Sequence, residues 1–76
     1  MTEQEWRMKF ADKLASMIEE KHITRKELAE KAGITEASLS FYFNCKKTPN
    51  YRTALNLSHA LGCSIDDLVF FGERID

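Results

Sequence analysis

Between Thr24 and Asn44 the chain reads TRKELAEKAGITEASLSFYFN, and this stretch limits the possible folds more than any other. Thr24 stands three residues before Glu27, the spacing at which a hydroxyl and a carboxylate each satisfy an orphaned amide at a helix start. A helix therefore begins near Arg25 and turns Leu28, Ala29 and Ala32 to one face. Gly33 ends it, because a residue without Cβ enters the left-handed conformation at little cost. After the turn Gly33-Ile34-Thr35, Thr35 caps a second helix whose Leu39, Tyr42 and Phe43 recur at the spacing of a buried stripe. The segment thus predicts two short helices, 25–32 and 36–44, held around a tight turn.

The remaining chain is also helical in pattern and contains no alternating, strand-like segment, repeat or low-complexity tract. Thr2 and Glu5 repeat the capping spacing, and Trp6, Phe10, Leu14, Met17 and Ile18 form the stripe of a helix over about 3–21. Thr48-Pro49-Asn50 interrupts the chain. Asn50 then caps a helix over 51–61 that turns Tyr51, Ala54, Leu57 and Leu61 inward and ends at Gly62. Ser64 and Asp67 start a last helix, 65–71, through Ile65, Leu68 and Val69. Seventy-six residues supply one hydrophobic core, so residues 1–76 are expected to form a single all-α domain of five helices.

Several functional classes are set aside by what the chain lacks. It has no apolar run of membrane-spanning length, and its start, MTEQEWRMKF, lacks the apolar core of a signal peptide, which points to the cytoplasm. Cys45 and Cys63 do not share metal-ligand spacing with His22 and His59, so neither a metal nor a cofactor is expected. No grouping of nucleophile, base and oxyanion donors suggests an enzyme, and nothing suggests a small-molecule ligand.

Charge separates the chain into three parts. Residues 21–52 hold seven basic side chains against three acidic, whereas 1–20 hold three against five and 53–76 one against four. The formal net charge is only -1, yet the positive charge gathers around the paired helices. A helix-turn-helix commonly offers its second helix to the DNA major groove, and a local excess of cations suits the phosphates beside it.

With KELAEKAGIT, the Leu39 position, NCKKTP and LSHALGCSIDDL in this order over about residues 10–72, the chain resembles the lambda-repressor and Cro-like helix-turn-helix family, also called the xenobiotic response element (XRE) family. The resemblance implies a compact five-helix domain in which helices 2 and 3 form the motif and helix 3 reads DNA. Thr35, Glu36, Ala37, Ser40 and Phe41 are then expected at base edges. Helical spacing agrees, since an inward Leu39, Tyr42 and Phe43 leaves Glu36, Ala37, Ser40, Phe41 and Asn44 outward. Glu36 can accept from cytosine N4, Ala37 and Phe41 can touch a thymine methyl, and Ser40 can bond several edges. Glu36 equally suits the helix start as a charge favoured by the dipole. Phosphate contacts are expected from Arg25, Ser38, Asn44, Lys46, Lys47 and Arg52.

Two positions depart from the family pattern. An arginine of the first helix and a glutamate late in the recognition helix are often paired there; here the positions hold Ile18 and Phe43, an apolar replacement for an ion pair. Cys45 occupies a place where glycine is usual, so Asn44 is expected to take the left-handed turn instead. Cys45 is either a plain replacement or a redox-sensitive thiol beside the phosphate contacts. Leu68, Phe70 and Phe71 are candidates for a homodimer interface, with folding of Phe70 or Phe71 back on Trp6 as the alternative. The whole predicts a sequence-specific regulator that binds a double-stranded operator as a homodimeric repressor. The alternative on the same fold is a protein-interaction module, an antirepressor or adaptor, that uses Phe41 and Tyr42.

Overall fold

A computed structural model describes residues 2–70, and five helices account for most of them: α1 (Glu3–Lys21), α2 (Arg25–Ala32), α3 (Glu36–Phe43), α4 (Tyr51–Leu61) and α5 (Ile65–Val69). Each begins on a short polar residue, Thr2, Thr24, Thr35, Asn50 or Ser64, whose side-chain oxygen accepts the amide three residues on, at 2.8–3.2 Å. Such caps satisfy donors that no helix can satisfy internally, and each contributes about 1 kcal/mol. The reciprocal box is complete only at α2, where Glu27 also accepts from the Thr24 amide at 3.2 Å. At α1 the Thr2 hydroxyl instead donates to the Glu5 carboxylate, at 3.1 Å.

α2 lies against α4, α1 against α3, and α5 against both α4 and α1. The centre is filled by Phe10, Leu14, Leu28, Leu39, Leu57, Leu61 and Leu68, each almost completely removed from water. Phe10 stacks on Trp6 with ring centroids 4.9 Å apart and meets Tyr42 edge-on at 6.1 Å. Through this aromatic bridge α1 fixes the inward face of α3. Ile18 and Phe43 are both partly buried against the same core, so the apolar exchange for an ion pair packs without a stranded charge. Among the described residues no helix is long and apolar enough to cross a membrane.

Four expectations need correction. Tyr51 is 71% exposed, because its helix face is the inward one but its place in the first turn of α4 carries it past the neighbours that bury Ala54 and Leu57. The third helix ends at Phe43, one residue early, with Asn44 at φ -93° as its C-cap. Asn44 therefore does not supply the left-handed turn; Cys45 does, at φ 60°. Lys46 N–H donates to the Phe41 carbonyl at 2.9 Å and Cys45 N–H to that of Tyr42 at 3.2 Å, the two bonds that close a helix around a left-handed residue. The last helix stops at Val69, short of the expected 71: Phe70 is extended, and the Val69 carbonyl accepts from the Trp6 indole N–H at 3.2 Å.

Candidate nucleic-acid interface

The turn between α2 and α3 sets the direction of the second helix. Gly33 stands at φ 71°, and no atom lies near the place a Cβ would occupy, so backbone conformation alone is what calls for glycine there. Its amide donates to Glu30, and Ile34 N–H reaches the Ala29 carbonyl at 3.0 Å. The chain then enters α3 at once, with the Thr35 hydroxyl accepting the Ser38 amide and donating to Ser38 Oγ, both at 3.0 Å.

α3 divides cleanly. Leu39 and Tyr42 are buried and Phe43 partly so, whereas Thr35, Glu36, Ala37 and Phe41 are exposed and Ser40 is half-buried. The base-contact candidates thus form one outward face, and Phe41 keeps 48% of its surface in water. Among the described residues Glu36 has no ion pair, so its exposed carboxylate is open to an external donor. Asn44 joins the face by donating its amide to Ser40 Oγ at 3.2 Å, which leaves the Ser40 hydroxyl proton free to be offered outward.

The cations stand in neighbouring segments and not within α3. Lys46 and Lys47 are exposed just past the end of α3, and Arg52 is exposed in the first turn of α4. Arg25 is the first residue of α2 and is exposed, but its guanidinium rests 3.8 Å from the centre of the Phe43 ring. Ser38 is half-buried with its hydroxyl engaged by Thr35, which makes it the most constrained of the phosphate candidates.

A second set of residues holds the loop that carries the lysines, and sequence reasoning missed it. Arg7 pairs with Glu3 one turn earlier, N···O 2.9 Å, and its Nε also donates to Thr48 Oγ1 at 2.9 Å. The Thr48 hydroxyl in turn donates to Glu3 Oε1 at 3.0 Å. The three groups tie the loop after α3 to the start of α1. The Glu3–Arg7 spacing of an i,i+4 pair is legible, whereas nothing local marks Thr48, 41 residues away from Arg7.

The dimer candidates separate differently. Leu68 is fully buried in the chain's own core and offers no surface, so it leaves the interface set: a side chain that plugs α5 onto α1 and α4 cannot also meet a partner. Phe70 is 67% exposed. Phe71 lies outside the described residues. Cys63 is partly buried, and burial together with the nearby Asp67 pushes its thiol up, against the opposite pull of Lys21 and Lys13. It stays a protonated, weakly nucleophilic group at neutral pH.

The two capped helices joined by a glycine turn agree with what comparison with known proteins finds. A family model described as helix-turn-helix covers residues 14–68. The chain belongs to the Cro/C1-type (XRE) helix-turn-helix family. It is also similar to an uncharacterized HTH-type transcriptional regulator, YqaE, of Bacillus subtilis strain 168, at 32% identity over 60 residues, covering 79% of this chain and 52% of the relative. The chain spans about half the length of the curated relative it matches. No solved structure matches it. As a helix-turn-helix family member the chain has α2 and α3 as its motif, and the family match ends at Leu68, the last fully buried side chain among the described residues.

Proposed function

We propose that this chain is a sequence-specific DNA-binding transcriptional regulator that acts in the cytoplasm on a double-stranded operator, as a homodimeric repressor. The observation that carries the reading is the outward face of α3. Thr35, Glu36, Ala37 and Phe41 are exposed and Ser40 is half-buried, and the exposed cations Arg25, Lys46, Lys47 and Arg52 stand in the helix before α3, in the loop after it and at the start of α4. A major groove would meet acceptor and apolar groups from the helix, and phosphates would meet the cations. Asn44 and Ser38 would add neutral contacts to the backbone strand. Two copies related by a twofold axis would read two half-sites and multiply the discrimination of one short helix. Phe70 is the surface group we assign to that pairing, and Phe70→Glu should lower the sedimentation mass to that of one chain.

The test of the reading is selection from a random duplex pool at low salt. An enriched site with twofold symmetry is the expected result; a pool left unenriched overturns it. The exposed Phe41 ring and the Glu36 carboxylate favour a second reading, in which the same face binds another protein. In that case the pool stays unenriched, while Phe41→Ala abolishes capture of a specific protein partner.

A further inference from the structure

Arg25 and Phe43 are far apart in the chain and each is unusual where it stands. Arg25 places a cation at the N-terminus of α2, the end whose dipole favours anions, so the stability of that helix gives no reason for it. Phe43 closes α3, is partly buried against the core, and has the Arg25 guanidinium over its ring at 3.8 Å. A guanidinium lying on a ring has one planar face covered, while its N–H groups point outward along its edge and remain able to donate. Contact with the ring also restricts the rotamer freedom that a long side chain would otherwise lose on meeting a phosphate. The two helices of the motif are thereby joined at their outer surface as well as through the core.

We propose that Phe43 is a positioning residue, holding the Arg25 guanidinium by stacking in the pose from which its edge meets a duplex phosphate. This rests on the DNA-binding reading above, and it assigns to a core-side aromatic a part in binding that no other observation gives it. Phe43 touches no nucleic acid; it acts through Arg25.

The probe is a mixed-sequence DNA duplex at low salt, because non-specific binding depends on phosphate contacts and needs no known operator. Phe43→Leu keeps the apolar packing and removes the ring, and should weaken binding about three- to fivefold, the factor a partly exposed stack is worth. Phe43→Tyr keeps the ring and should bind as the parent does. In an Arg25→Gln background Phe43→Leu should have no further effect, since coupled groups are not additive. Arg25→Lys, which leaves the core untouched, keeps the charge but loses the planar face and should fall by a similar factor. In the free protein the Arg25 side-chain protons should be shifted upfield by the ring, and should lose that shift in Phe43→Leu. Additive losses, a lysine that binds as well as arginine, or no ring shift would each overturn the role of Phe43 while leaving DNA binding intact. A parent chain that binds no duplex at low salt would overturn the DNA reading, and the phosphate role with it.

Discussion

α2 and α3 are alike in length, N-cap and buried stripe and unlike on the side turned to solvent. Both run eight residues, both start on a threonine cap, and both bury aliphatic or aromatic side chains along one stripe. Outside, α2 carries Arg25, Lys26, Glu27, Glu30 and Lys31, an ordinary mixed-charge surface. α3 carries Glu36, Ala37, Ser40 and Phe41 there, with no basic residue and a large exposed ring. Water favours the first surface and gains nothing from the second. The residues on the outside of α3 are therefore evidence about binding, whereas those on the outside of α2, Arg25 excepted, are evidence about solubility.

If the inward stripes are equivalent, Leu28→Ala and Leu39→Ala should each cost about 2–5 kcal/mol, the range for an aliphatic side chain removed from a packed core. Both are fully buried, and denaturant unfolding should show similar drops in midpoint; a mild effect at Leu39 alone would mean that α3 is loosely held. The outward faces should then diverge. Phe41→Ala should remove roughly 1–3 kcal/mol of affinity for a selected duplex, on the scale of one mismatched base pair, with the unfolding midpoint nearly unchanged. Lys31→Ala on α2 should alter neither. Should Phe41→Ala destabilise the fold instead, its ring is packing and the contrast between the helices disappears.

Removing both lysines beside α3, with Lys46→Ala and Lys47→Ala together, should weaken binding to every sequence and reduce the salt slope by about 0.9 for each phosphate that is no longer neutralised. An unchanged slope means that neither lysine meets a phosphate. The smallest effect concerns how the two helices end. α2 closes on Gly33 at φ 71° and α3 on Cys45 at φ 60°, so one has the residue its geometry favours and the other does not. Cys45→Gly should stabilise by about 1 kcal/mol and Gly33→Ala should destabilise by about as much, both read by thermal unfolding. Opposite signs sharpen the comparison; equal signs would break it.

Much of this molecule can be read locally. The five caps, Thr2, Thr24, Thr35, Asn50 and Ser64, are all in place, since capping depends on residues within one turn. The inward stripes of α2 and α3 follow from periodicity for the same reason. Periodicity does not place Tyr51 or Leu68, because it orders the faces of a helix without stating how far its neighbours extend along it. The bond that the end of α5 makes is equally hidden, for the Val69 carbonyl accepts from Trp6, 63 residues away. Of the candidate site, the outward face of α3 is legible; the anchoring of Thr48 and the stacking of Arg25 are not.

By itself, then, the sequence determined the helices, their caps, the glycine turn between α2 and α3, and which face of α3 is left to solvent. These rest on interactions between residues a few positions apart, which recur wherever such a pattern occurs. Only the tertiary structure decided that Cys45 bears the left-handed turn, that Leu68 belongs to the core, that Arg7 and Glu3 hold the lysine loop through Thr48, and that Phe43 carries Arg25 on its ring. The last three depend on which distant group arrives beside which, a matter of packing geometry that no local spacing encodes, whereas the turn at Cys45 is closed by bonds within five residues.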